Sequence, residues 1–188
     1  MWCTFGHDNA VNVLKRSLVE GRLAHAYMLT GPPNVGKMTL ALDLARAVNC
    51  LGSDGPCGEC CQCARIERGV HADVNVIGPE DGDTSNQRVL VSIDQVREAQ
   101  RQASLKPFEG RYRVFVFSNA EQLSEEAANS LLKTLEEPPD QVILILLAPS
   151  HEALLPTLVS RCQLVQLKLV SVETIVEELQ GLHDVDPA

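Results

Sequence analysis

Two stretches of the sequence place residues capable of chemistry at fixed spacing. The first is Gly31-Pro32-Pro33-Asn34-Val35-Gly36-Lys37, a G-x-x-x-x-G-K pattern. Its glycines let backbone N–H groups curl around phosphate oxygens, and Lys37 adds a positive charge. The second is Cys50, Cys57, Cys60 and Cys63, spaced C-x6-C-x2-C-x2-C. Two-residue gaps let successive thiolates converge on one ion at about 2.3 Å each, the tetrahedral arrangement that zinc prefers. Four thiolates leave no open position for water, so the chemistry implied is structural. Gly55, Pro56 and Gly58 supply the tight turns of such a knuckle. Cys61 is the spare: next to Cys60, it has to point elsewhere. The alternative is a set of reduced free thiols, which would be a redox liability without a metal. Cys3 and Cys162 read as isolated core or surface thiols.

The phosphate loop lacks what magnesium needs. The position after the lysine should carry a Ser or Thr hydroxyl, and here it is Met38. Thr39 lies about 100° further around the helix and is no simple substitute. A metal-holding Asp is expected at the end of an apolar strand. The strand Val114–Phe117 is instead followed by Ser118-Asn119-Ala120-Glu121, whose carboxylate comes three places late. Glu121 therefore reads as the start of the next helix. Hydrolysis is not expected, and weak nucleotide binding through Gly31, Pro32, Pro33, Asn34, Val35, Gly36, Lys37 and Met38 is left open. No Ser/His/Asp set or isolated carboxylate pair suggests hydrolase chemistry elsewhere, and His25 and His71 read as structural.

These residues need elements to position them, and the periodicity supplies alternating helix and strand. Helical spacing runs over 8–20, 37–49, 92–104, 124–136, 151–159 and 171–180. Apolar runs at 26–30, 73–77, 113–117, 142–147 and 162–167 read as strands. Five such runs separated by helices predict an α/β domain with a parallel sheet covered on both faces. A Gly/Cys-rich insert fills 50–63, and the polar loop 78–87 is given no binding role.

Composition narrows the classes. The 188 residues are 45% apolar and 22% charged, enough for a real core and unlike a disordered tail. One Trp, two Tyr and four Phe mean that this core is mainly aliphatic. A net charge of −9 argues against a freestanding nucleic-acid binder, which would show a basic face. No apolar run is long enough for a membrane span, and Met1–Asn9 lacks the pattern of a secretory signal. With clustered cysteines, this reads as a cytoplasmic protein.

Several longer segments carry a resemblance. G-R-L-A-H-A-Y-M-L-T-G-P-P at 21–33, the cysteine knuckle, G-V-H-A-D-V at 69–74, N-S-L-L-K-T-L-E-E-P-P at 129–139 and L-L-P-T-L-V-S-R-C-Q at 154–163 resemble bacterial DNA polymerase III clamp-loader subunits. The resemblance covers essentially the whole chain. It implies an AAA+ type domain over 1–170, with the zinc knuckle inserted at 50–63 and the start of a truncated helical lid at 171–188. Within the family the chain is more similar to the delta-prime group than to the ATP-hydrolysing gamma/tau group, because Met38, Ser118 and Asn119 depart from the ATPase pattern. Ala148 stands where ATPase members usually place a polar sensor residue. The resemblance further implies that Arg161, in Ser-Arg-Cys, reaches the ATP site of a neighbouring subunit. From the residue alone, Arg161 would be expected simply to pair with a surface carboxylate. Implied partners are the gamma/tau and delta subunits, the sliding clamp and, through the complex, primed DNA. The alternatives are an active gamma/tau-like ATPase using Thr39 and Glu121, and a standalone zinc-containing nucleotide sensor.

Overall fold

The computed structural model describes residues 1–53, 55–79 and 90–183. The apolar runs form β1 (Ala26–Thr30), β2 (Val74–Ile77), β3 (Arg113–Phe117), β4 (Val142–Ala148) and β5 (Gln163–Gln166). All pair in parallel, in the order β2-β3-β4-β1-β5. Every residue of β1, β3 and β4 is buried, whereas the edge strands β2 and β5 are partly exposed. A parallel sheet covered on both faces has no polar side, which is why the three inner strands are apolar apart from Thr30 and Arg113 at strand ends.

The helices are α1 (Asp8–Val19), α2 (Lys37–Asn49), α3 (Cys61–Glu67), α4 (Ile93–Ala103), α5 (Glu125–Glu136), α6 (Pro156–Val159) and α7 (Val172–His183). Successive strand residues point to opposite faces. Tyr27, Leu29, Val116 and Ile145 pack against Leu14 of α1 and Leu40 and Leu44 of α2. Met28, Phe115, Phe117 and Leu146 pack against Val96 of α4, Leu131 of α5 and Leu158 of α6. Ser92 opens α4 with a full capping box shared with Gln95, and the Ser124 hydroxyl accepts from Ala127 N–H to open α5.

Two elements differ from expectation. The helix read over 151–159 is divided into a 3-10 turn, His151–Ala153, and α6. Pro156 is the cause: it suits a first helical position but forces Leu155 into extended backbone (φ −61°, ψ 131°). The second is α3, which starts inside what reads as an irregular insert. Most of the polar loop at 78–87 lies outside the described residues. Among the described residues no helix is long and apolar enough to cross a membrane.

Candidate phosphate cavity, cysteine centre and exposed arginine

The phosphate loop joins β1 to α2 and is built into the core. Val35 is buried, and its carbonyl accepts a 2.9 Å bond from His7 Nε2. A side chain at Gly31 would place its Cβ 2.5 Å from the Leu167 carbonyl oxygen, so only glycine fits there. Gly36 takes the left-handed conformation (φ +98°) that turns the chain into α2. The frame of a nucleotide loop is therefore intact.

Its side chains are arranged otherwise. Lys37 Nζ donates to the loop's own Gly31 and Pro32 carbonyls, both at 2.6 Å. Burial lowers the Lys37 pKa, and the Glu121 charge works against that shift. The loop borders a cavity of about 570 Å³ whose lining includes Lys37, Met38, Thr39, Ser118, Asn119 and Glu121. Met38 is half-buried and packs against the core beneath α2. The Ser118 hydroxyl donates to Asn119 Oδ1 (3.1 Å) and toward the Ile77 carbonyl (3.3 Å). Ala148, buried at the end of β4, brings no polar group.

Glu121 is a correction. It does not start the following helix: it sits in a 3-10 turn, Ala120–Gln122, and α5 begins only after Ser124. The turn carries its carboxylate to the cavity, where Oε2 is buried with no hydrogen-bond partner among the described residues. The cavity thus carries the Glu121 carboxylate, while neither Met38 nor Ser118 offers a carboxylate or free hydroxyl for magnesium.

On the other side of the loop lies a cavity of about 320 Å³, with Phe5, Val35, Leu169, Val170 and Ile175 among its lining. Its wall is the N-terminal segment, pinned to α2 by Asp43. That carboxylate is fully buried, accepts from Cys3 N–H, Thr4 N–H and the Thr4 hydroxyl, and pairs with Arg46. Sequence reasoning missed this pair. Its signal was a carboxylate and an arginine three residues apart on an otherwise apolar helix.

The four cysteines do converge. Their Sγ atoms all lie within 4.8 Å of one another, with Cys50–Cys60 and Cys57–Cys63 both at 4.0 Å. Tetrahedral thiolates at about 2.3 Å from an ion stand about 3.8 Å apart, so the donor set fits one ion. The centre lies between two helix ends: Cys50 follows α2, and Cys60 caps α3, its Sγ accepting from Cys63 N–H. The Cys50 Sγ accepts from Gly52 and Cys57 N–H, and the Cys57 Sγ from Cys60 N–H. Burial pushes the Cys60 thiol up, but donors from Leu51 and Cys63 outweigh it and bring it to about 6. Gly55 is fixed by space, because a Cβ would lie 2.5 Å from that of Cys50. Cys61 is exposed and is not one of the four.

A buried polar network seats this knuckle on the domain. Gln62 Nε2 donates to the Glu109 carbonyl (2.7 Å) and its Oε1 bonds the His71 ring; Asn49 Oδ1 accepts from Arg111 and Tyr112 N–H. Fully buried Asp73 accepts from Phe108, Glu109 and Gly110 N–H and pairs with Arg113 at 2.9 Å. Burial raises the Asp73 carboxyl, but those donors and Arg113 overcome it, and its pKa is lowered. The His71 ring is buried in this network and bonds Gln62 Oε1.

Arg161 follows α6 and lines neither cavity beside the loop. Its Nη2 meets Glu136 Oε1 at 2.7 Å, and its Nη1 donates to the Thr157 carbonyl at 3.0 Å. The pairing with a surface carboxylate expected from the residue alone is therefore present. The side chain nevertheless keeps 35% exposure. Beside it, burial pushes the Cys162 thiol up to about 12.

The chain has relatives among known proteins. Residues 6–171 match the family described as DNA polymerase III, delta subunit. The tau subunit of DNA polymerase III from Bacillus subtilis is 32% identical over 183 residues, covering 96% of this chain and 31% of that protein. The delta-prime subunit from the same organism is 34% identical over 178 residues, covering 94% and 52%. A solved gamma subunit-related protein from Thermotoga maritima shares the fold, with a TM-score of 0.66 at 22% identity over 92% of this chain and 49% of that one. The chain spans about a third to a half of the curated relatives' length. With a family match over most of its residues and one-third identity to two polymerase III subunits along nearly all of them, this chain belongs to the DNA polymerase III delta-subunit family of clamp-loader AAA+ domains.

Proposed function

We propose that this chain is the AAA+ domain of a non-hydrolysing, delta-prime-like clamp-loader subunit. It would work with gamma/tau and delta subunits to load the sliding clamp on primed DNA during replication. In this reading 1–170 is the AAA+ domain and 171–188 begins a helical lid. Cys50, Cys57, Cys60 and Cys63 hold a structural zinc ion, and Arg161 serves the ATP site of the neighbouring subunit. An arginine suits that work because its fork is always charged and stabilises charge developing on a γ-phosphate. The observation that carries the reading is the phosphate cavity. Met38 and Ser118 stand where magnesium needs a hydroxyl and a carboxylate, and Lys37 is bonded to its own loop. The test is turnover. The purified chain hydrolyses no ATP above background, while Arg161→Ala in the full-length protein impairs hydrolysis by the reconstituted loader.

A second reading, an active gamma/tau-like subunit, is favoured by one observation: the Glu121 carboxylate in the cavity, whose Oε2 is buried without a hydrogen bond among the described residues, with exposed Thr39 lining the same cavity. Magnesium-dependent turnover by the isolated chain, abolished by Lys37→Ala, would establish that reading and end the first.

A further inference from the structure

We infer that Glu136 is a positioning residue for Arg161, holding the guanidinium ready before a neighbouring subunit arrives; this rests on the reading that Arg161 acts in trans. The pair joins residues 25 apart in sequence, the last residue of α5 and the turn after α6, at 2.7 Å. Local electrostatics do not favour Glu136 where it stands. A carboxylate at a helix C-terminus faces the negative end of the macrodipole, and Glu137 beside it adds a like charge. A cation placed there offsets both.

The bonding pattern explains how the arginine can be held and still be available. Nη1 donates to the Thr157 carbonyl and to the Ser160 hydroxyl oxygen (3.3 Å), and Nη2 donates once to Glu136. Of the five N–H groups of a guanidinium, the Nε–H and one on Nη2 keep no partner among the described residues. Three bonds to its own chain thus fix the plane of the fork while two donors stay unbonded on a side chain that is 35% exposed. A free arginine would lose its rotamer freedom at the moment of docking; one already held has lost it beforehand, which is preorganisation. As an exposed ion pair the contact adds little to stability, so its effect belongs in turnover.

The experiment uses the reconstituted clamp loader containing the full-length protein, with ATP turnover measured at varied ATP. Glu136→Ala is expected to lower kcat about two- to fivefold with KM nearly unchanged, the size of one exposed ion pair. Glu136→Gln, whose amide oxygen still accepts from Nη2, recovers most of the loss. Glu136→Ala combined with Arg161→Ala is no slower than Arg161→Ala alone. Parental turnover in Glu136→Ala, or an equal loss from it when Arg161 is already absent, overturns the inference while leaving the in-trans reading standing. If Arg161→Ala itself leaves turnover unchanged, the in-trans reading fails and takes this inference with it.

Discussion

The phosphate loop and the cysteine knuckle are opposite kinds of site. The loop is framed by its backbone and by core packing; the knuckle gathers four thiols within 4.8 Å of one another on short turns. The reason lies in what holds each one. Residues 31–36 are fixed by the fold: Val35 is in the core, Gly31 lies against Leu167, and His7 bonds the loop from outside. Such a loop takes its shape from the surrounding fold. In the knuckle Cys50 and Cys63 are buried, but Cys57 is exposed and the turns between are short. There the thiols themselves have to be the cross-link. A site supported by the fold tolerates a change of its side chains, whereas one built by its own ligands does not.

The largest effect should come from breaking the knuckle. In Cys63→Ser, zinc measured by elemental analysis falls from about one per chain to below about 0.2, and the melting midpoint drops by about 10 °C or more. A parent chain without metal whose midpoint is unmoved by the substitution would remove the contrast between the two sites.

Next comes the polar seat beneath the knuckle. Asp73→Asn leaves Arg113 buried and unpaired and should cost about 3 kcal/mol in urea unfolding. Because the folded pKa of Asp73 lies below its unfolded value, its contribution is fully present at neutral pH. It disappears as pH falls below the ordinary carboxylate value of about 3.9 toward the folded one. The parent should therefore lose more stability than Asp73→Asn between pH 5 and pH 2, and equal losses would show that Asp73 is not the linked group.

The loop should answer to restored ligands rather than to disruption. Met38→Thr with Ser118→Asp should raise Mg·ATP affinity at least about tenfold by calorimetry, a gain that a further Lys37→Ala removes. Lys37→Ala in the parent should change affinity less than about twofold, and a larger loss there would mean that the loop is still a working site. The smallest effect belongs to the spare thiol. Cys61→Ser should leave zinc content unchanged and shift stability by no more than about 0.5 kcal/mol.

Much of this molecule is legible without coordinates. The inner strands β1, β3 and β4 are readable because burial on both faces leaves an apolar signature broken only by Thr30 and Arg113 at strand ends. Ser92 and Ser124 mark helix starts because their capping partners are three residues away. The helix α3 escapes the same reasoning, since its cap is a thiol: Cys60 accepts from Cys63 N–H, a role reserved in sequence reasoning for oxygen. The place of Glu121 in the cavity escapes sequence reading because it depends on a single 3-10 turn, and a three-residue turn leaves no periodicity to read.

The sequence by itself determined the sheet, the frame of the phosphate loop, Met38 after its lysine and the four cysteines, because each is written in residue type and in spacing of a few positions. Only the tertiary structure decided which partners the charged groups take. Asp43 holds the N-terminal segment, Asp73 a loop 35 residues away, and Glu136 the arginine 25 residues on. Those pairings follow from strand order and helix packing, which bring together residues that no local period relates.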